Sequence, residues 1–452
     1  MNTYLEEYKR KLTTPEKAVK LVNSGNYIDY GTFNGKPIAL DQALAARRDE
    51  LQGVTVRVVA SIPPVPQVVQ QDPQNKAFRY LSWYYSALDR KMGDFGVCDH
   101  LPFTYHEANF IAQTYEEIRP NVVMCQVTPM DEHGYFNFGP NNSHTFDLCM
   151  RADYVVVEVN NNVPRCLGGS QEAIHISQVS QVVEGEHSPM FELPASDAPT
   201  EDEQKIAEYI ISEIHDGSCL QLGIGSLPNL IGIRLAQSGI KDVGIHSEMF
   251  CEAFINMFEA GCITNRLKNF DRHKASYTFG LGSKKLYDFM DNNSLLSSQP
   301  AGVVNKPSII ATNDNMASIN NIVEVDLFSQ VCSESVGVRH ISGTGGQLDF
   351  VQGAFASRGG KSFLAFSSSF IDTNGNRVSR IKSVLTPGSV VTVPRTLVHY
   401  LVTEQGMINV KAKSVWERAE ALIGIAHPDF RDDLLREAEQ MKIWRRSNKC
   451  AG

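Results

Sequence analysis

Cys219-Leu-Gln-Leu-Gly-Ile-Gly-Ser-Leu-Pro228 reads as a short strand that runs into a glycine turn and opens a helix over Asn229 to Gln237. Pro228 suits a first helical turn, where its missing N–H is not needed. A strand handed straight to a helix is the unit from which parallel sheets are built. Upstream, Val122-Val-Met-Cys-Gln-Val127 and Tyr154-Val-Val-Val-Glu-Val159 are apolar runs of strand length. Unbroken apolar strands suit a sheet covered on both faces. Val54-Thr-Val-Arg-Val-Val-Ala60 alternates with β-branched residues and reads as a further strand. Downstream, Ser308–Ala311, Phe363–Phe366, Val390–Val393 and Tyr400–Val402 read the same way.

Helical signals lie between these runs. Thr13-Thr-Pro-Glu16 offers a capping box with Thr13 at N-cap, followed by the stripe Ala18, Leu21, Val22 and a stop at Gly25. Helices are also expected over Glu203–Ile214, Val415–Ile423 and Phe430–Met441. Residues 184–200 hold three prolines and neither a helical nor a strand period, which marks a boundary. The expected fold is α/β, with two related open domains of mostly parallel sheet, residues 1–190 and 191–452.

The 452 residues carry 42 basic and 51 acidic side chains, a net charge of −9. That balance argues against nucleic-acid binding, which calls for a basic face. Nine scattered cysteines, odd in number and without a CxxC pair, support neither disulfides nor a zinc ribbon. The first residues lack the apolar core of a signal peptide and no apolar run is long enough to span a bilayer. The expectation is a soluble cytoplasmic protein with no membrane partner.

Two glycine clusters are candidate ligand loops. Gly223-Ile-Gly225-Ser-Leu227 precedes a helix, whose N-terminal N–H groups suit an anion or oxyanion. It fails the dinucleotide pattern, because Pro228 stands where the third glycine belongs. From spacing alone, an ordinary strand-to-helix turn is as good a reading. Gly343-Thr-Gly345-Gly346-Gln347 can form a nest of N–H groups or a plain tight loop. Gly359-Gly-Lys361-Ser362 resembles the end of a phosphate-binding loop, but Phe355 replaces its first glycine, which excludes that motif. His246-Ser-Glu248 places an imidazole and a carboxylate at period-2 spacing, on one face of an extended segment. Asp131-Glu-His133-Gly134 has metal-ligand residue types but reads as a turn, and Asp372–Asn376 reads as a hairpin turn.

Taken in order, these segments resemble a class I coenzyme A transferase of the acetyl-CoA hydrolase/transferase type. The likeness runs through Val127-Thr-Pro129-Met-Asp131-Glu-His133-Gly134, Val157-Glu158-Val-Asn160 and Gly223–Pro228. It continues through His246-Ser-Glu248-Met249, Gly343–Phe350 and Ile425-Ala-His427-Pro-Asp429. Pro164-Arg-Cys-Leu-Gly168-Gly169 and the ending Ile443–Asn448 favour the butyryl-CoA:acetate branch, with 4-hydroxybutyrate and propionate transferases close by.

The resemblance implies that Glu248 is the nucleophile. It also implies that Gly223, Ile224, Gly225, Ser226 and Leu227, with Gly345 and Gly346, contact coenzyme A and the thioester oxygen. Lys361 is the basic residue assigned to coenzyme A, chosen from Lys284, Lys285, Arg358, Arg377 and Arg380. The implied activity moves coenzyme A between a short-chain acyl-CoA and a carboxylate, butyryl-CoA and acetate foremost. Coenzyme A is then a substrate, no cofactor is permanently bound, and a homo-oligomer is expected. Rival readings are an acyl-CoA hydrolase using the same Glu248, a non-catalytic acyl-CoA binder, and a metal enzyme built on His133 or His246. No metal is expected in the main reading.

Overall fold

In the computed structural model, residues 3–445 are described, so Cys450 and the last part of the 443–448 ending lie outside the described residues. The chain divides into two compact units: residues 1–194, 246–252 and 273–306 form one, and 195–245, 253–272 and 307–452 the other.

The first unit is built on an eight-stranded sheet. Its strands, in spatial order, are Leu12–Thr13, Gln181–Glu184, Tyr154–Val159, Val122–Val127, Tyr27–Thr32, Val54–Val59, Phe78–Ser82 and Asp99–His100. Every neighbouring pair is parallel. Alternate residues of one strand serve opposite faces. Val122, Met124 and Val156 join one apolar cluster with Ile28, Leu40, Val56 and Val68. Val123, Cys125, Val155 and Val157 join another with Phe136 and Leu148. The unbroken apolar runs thus reflect a sheet covered on both sides.

Tyr27–Thr32 has Val54–Val59 on one side and Val122–Val127 on the other, so the strand order reverses there. Ligands of open parallel sheets bind beyond the carboxyl ends of strands at such a point. The chain leaving Tyr27–Thr32 turns through Phe33–Gly35 into the helix Ile38–Ala45. Pro37 gives that helix no side-chain cap. Glu158 supplies one from Tyr154–Val159, two places along the sheet from Tyr27–Thr32, its carboxylate accepting from the Ile38 and Leu40 amides at 2.9 and 3.0 Å.

The second unit carries a six-stranded sheet in the order Gly244–Ile245, Cys219–Gln221, Met316–Asn321, Lys361–Ala365, Tyr400–Thr403 and Gly406–Asn409. All neighbours are parallel except the last pair. The helices Val415–Gly424 and Pro428–Gln440 place Leu422 and Leu434 in the cluster that holds Leu364 and Leu401, and Ala426 joins it from the turn between them.

Some local expectations change, while the two turns read at Asp131–Gly134 and Asp372–Asn376 hold. Thr14, not Thr13, caps the first predicted helix, accepting from Lys17 N; Thr13 belongs to an edge strand. Pro15 occupies the first helical position, so the cap falls on the residue just before it. Ser308–Ala311 lies largely in a helix, Pro307–Ile310, rather than a strand. Val390–Val393 forms only an isolated bridge, Val393 with Val331. Asp131–Gly134 is a turn, in which Asp131 accepts from His133 and Tyr135 amides. Asp372–Asn376 joins the antiparallel pair Ser369–Ile371 and Arg377–Ser379. The two units are also not two consecutive halves. Segment 246–252 follows residue 191 in sequence yet belongs to the first unit, because Met249–Phe250 pairs in parallel with Phe279–Gly280 of that unit.

Candidate active site

His246 and Glu248 lie on an extended segment tied to residues 276–279 by backbone hydrogen bonds. Ser247 N donates to Ser276 O at 3.0 Å, and the Glu248 carbonyl accepts from Thr278 N at 2.9 Å and Phe279 N at 3.3 Å. The segment has no freedom to slide, so the Glu248 side chain leaves a fixed backbone. Its period-2 neighbour reaches the same place. His246 Nε2 lies 2.8 Å from Val304 O, and Asn305 Nδ2 donates to Glu248 Oε2 at 2.6 Å. Val304 and Asn305 end one short helix, Ala301–Val304 with Asn305 as its C-cap. His246 is wholly buried there, whereas Glu248 is only half-buried.

That pairing suits a nucleophile. The Asn305 amide is neutral, so this bond orients the carboxylate without itself adding a charge beside it. Asn305 is itself fully buried and closes its helix through its own amide, 2.9 Å from Ala301 O. Its orientation is therefore set by the fold.

A second polar chain lies near Glu248. Tyr105 and Ser143 share a hydrogen bond of 2.6 Å, and Ser143 Oγ lies 2.9 Å from His144 Nδ1. Burial and the nearby Glu248 charge push the Tyr105 phenol well up, so it stays protonated. Burial, helped by Arg57, pushes His144 down to about 3, so its imidazole is neutral at working pH. The Tyr105 and Phe33 rings lie 6.2 and 4.5 Å from that of Phe279, the residue whose amide holds the Glu248 carbonyl.

The glycine turns belong to the second unit and lie by the carboxyl ends of two neighbouring strands. Gly223–Gly225 follows the carboxyl end of Cys219–Gln221, and Ser226–Gln237 starts the helix, three residues earlier than expected. Gly225 has φ +120° and Gly345 φ +51°, the left-handed region that favours glycine. Gly346 caps the helix Gln347–Ala356, and Gln347 Nε2 donates to Asn321 O, the carboxyl end of the adjoining strand. Ile224 is exposed, Leu227 buried, and Ser226 Oγ donates to Glu203.

Lys361 is not brought to these turns. It opens its strand at the amino end, beside Ala317, and its ammonium is held by Glu213 at 2.5 Å. Lys284 and Arg358 are likewise paired, with Asp288 and Asp314. Arg377 donates to Ser369, and Arg380 to Val323 O over the Phe370 ring. His133 is exposed beside Glu132, not part of a buried ligand set.

Asn305 has no sequence signal, because nothing in Val304-Asn-Lys306 marks it as more than a helix end. Its role is testable. Asn305→Ala is expected to lower kcat roughly tenfold to a hundredfold, since loss of the orienting bond loosens the carboxylate. The KM for acyl-CoA should move little. Asn305→Asp should be worse, because a second carboxylate beside Glu248 keeps a proton on one of the two. Steady-state rates across both substrates measure this, and an unchanged kcat in Asn305→Ala removes the role.

Known proteins match this chain over nearly its whole length. Residues 1–193 match the acetyl-CoA hydrolase/transferase N-terminal domain, and residues 282–438 the corresponding C-terminal domain. A butyryl-CoA:acetate CoA-transferase of Anaerostipes caccae is 46% identical over 447 residues, covering 99% of this chain and 100% of that protein. A 4-hydroxybutyrate coenzyme A transferase of Clostridium kluyveri is 38% identical, with 96% of this chain and 98% of that protein covered. Among solved structures, RipA from Yersinia pestis superposes with a TM-score of 0.88 at 36% identity, over 97% of this chain and 99% of that one. With both domain models matched and relatives of this identity aligned from end to end, the chain belongs to the acetyl-CoA hydrolase/transferase family.

Proposed function

We propose that this enzyme moves coenzyme A between butyryl-CoA and acetate through a thioester on Glu248. The observation that carries the reading is the half-buried carboxylate of Glu248, fixed at its backbone by residue 278 and at its side chain by the neutral amide of Asn305. The full-length likeness to a butyryl-CoA:acetate CoA-transferase supports the choice of substrates.

The chemistry needs little else. A Glu248 oxygen attacks the butyryl thioester carbonyl and coenzyme A leaves as thiolate, giving a butyryl-glutamyl anhydride. The thiolate then attacks the glutamyl carbonyl, butyrate leaves, and Glu248 carries coenzyme A as a thioester. Acetate attacks that carbonyl and displaces the thiolate, forming an acetyl-glutamyl anhydride. The thiolate attacks the acetyl carbonyl, giving acetyl-CoA and restoring the carboxylate. The carboxylate is a ready nucleophile and the thiolate a good leaving group, so no separate base is required. Each tetrahedral oxyanion needs N–H donors, each worth about 3 kcal/mol at comparable sites. We assign coenzyme A to the turns at 223–227 and 345–346, whose backbone N–H groups suit that task. No permanently bound cofactor enters these steps. No described helix is long and apolar enough to cross a membrane. All eight described cysteines are buried, as suits a cytoplasmic enzyme; a homo-oligomer is the expected assembly, which light scattering measures.

The test is a two-substrate rate study with each coenzyme A product identified by mass. Butyryl-CoA and acetate should give acetyl-CoA with parallel double-reciprocal lines. Release of unacylated coenzyme A at a rate independent of acetate would make the protein a hydrolase. Intersecting lines would exclude the glutamyl thioester.

A further inference from the structure

The first unit contains a cavity of about 340 Å³ that includes Phe33, Lys36, Ile62, Gln126, Asn160 and Met190 in its lining. These residues lie on or just beyond the carboxyl ends of Tyr27–Thr32, Val54–Val59, Val122–Val127 and Tyr154–Val159, or on the segment that follows Gln181–Glu184. The cavity thus occupies the position at which open parallel sheets take their ligands, beside the reversal of strand order. Its Phe33 wall stacks on Phe279, whose amide binds the Glu248 carbonyl.

Most polar groups of the lining are already used by the protein. Asn34 bridges Phe191 and Tyr287. Asn160 donates to Gln126 and to Ser188 O. Lys36 is different. It is 3% exposed, and its ammonium donates to two carbonyl oxygens, of Ile62 at 2.9 Å and of Pro64. Three N–H donors and two acceptors leave one donor over. No described carboxylate forms an ion pair with it. The facing charges are Asp41 on the helix Ile38–Ala45 and Asp89 on Ala87–Asp94. Asp41 accepts from Gln67 and Val68 amides, and Asp89 from Ser61 and Ser86. A buried cation without an ionic partner is costly, and an apolar cavity rejects an anion unless a cation meets it. Each defect is cured by the other.

We propose that Lys36 is the docking point of the free carboxylate substrate, holding the anionic head of the short-chain acid with its alkyl part against Phe33, Ile62 and Met190. The inference rests on the reading of the chain as a transferase to a carboxylate, and adds the residue that binds that substrate. Burial pushes Lys36 down to about 8. The ammonium is lost as pH rises through that value, so carboxylate binding is present below it and lost above it.

Lys36→Gln tests the assignment, because the amide keeps N–H donors for the Ile62 and Pro64 carbonyls while removing the charge. The KM for acetate should rise about tenfold to a hundredfold, the usual loss of a charge-assisted bond, while the KM for butyryl-CoA stays within about twofold. Butyryl-CoA without acceptor should still load Glu248. Equal rises in both KM values would make Lys36 a strut for the 62–64 turn and overturn the proposal, as would an unchanged KM for acetate. The wild-type enzyme gives a second, variant-free measurement. Its KM for acetate should be flat below about pH 8 and climb about tenfold per unit above it, with no such climb for butyryl-CoA. A flat acetate profile through this range overturns the proposal even if the variant fails to fold. Absence of transfer to any carboxylate in the wild-type enzyme would instead overturn the transferase reading.

Discussion

Glu248→Ala is expected to abolish transfer from butyryl-CoA to acetate while leaving the fold intact. The side chain is half-buried, and the hydrogen bonds that hold the segment belong to its backbone, which alanine retains. Glu248→Gln keeps the shape and an oxygen for Asn305 but removes the ionised nucleophile, so it should be equally inactive. Glu248→Asp keeps the charge and withdraws it by about 1 Å, a misplacement that costs on the order of a hundredfold. The three variants therefore separate charge from position. Incubation of the wild-type enzyme with butyryl-CoA and no acceptor should add coenzyme A to one peptide, the one containing Glu248. Borohydride should reduce that thioester and hydroxylamine should trap it, each with loss of activity. Full activity in Glu248→Ala, or an adduct on another peptide, would move the nucleophile elsewhere.

The glycine turns were legible in the sequence because their signal is local. Gly225 and Gly345 adopt a backbone that other residues resist, and the chain shows it. The strands Val54–Val59, Val122–Val127 and Tyr154–Val159 were legible because burial on both faces leaves them almost wholly apolar. The strand Tyr27–Thr32, beside the reversal of strand order, escaped notice because it carries Asp29 and Gly31. Asp29 is tolerated inside the sheet only because Arg57 of the next strand meets it, and that pairing is visible only once the two strands are adjacent. Glu158 stands inside an otherwise apolar strand, and its reason is a helix N-terminus more than a hundred residues away in sequence. The same holds at the site. The spacing of His246-Ser-Glu248 shows only that the two side chains share a face, and the role of Glu248 is implied by the family resemblance, whereas Asn305 and Lys36 acquire meaning from tertiary neighbours. Nothing in the sequence around Lys36 marks it, and the protein buries it.

Arg57→Met is expected to destabilise the first unit by about 3–5 kcal/mol, the cost of leaving one partner of a buried ion pair alone. Arg57 is fully buried; its Nε donates to Asp29 at 2.8 Å, its Nη1 to Ile118 O at 2.7 Å, and its guanidinium lies 5.1 Å from the Trp83 ring centre. Methionine fills much of the space but answers none of the oxygens. Asp29 would keep only the Gly31 amide, at 2.8 Å. That bond shapes the place where the register with Val54–Val59 shifts, between Asp29 and Thr32, just before the turn that carries Phe33 and Lys36. The consequence should therefore reach the cavity as well as the core, as a raised KM for acetate in any protein that still folds. Trp83 reports on this unit, so urea unfolding followed by its fluorescence, with Trp416 and Trp444 replaced by phenylalanine, gives the local transition. The double variant Asp29→Leu/Arg57→Met should recover part of the loss, because it removes the orphaned carboxylate along with the cation. A loss below about 1 kcal/mol in Arg57→Met, or a double variant weaker than both singles combined, would show that the pair does not hold the strands together.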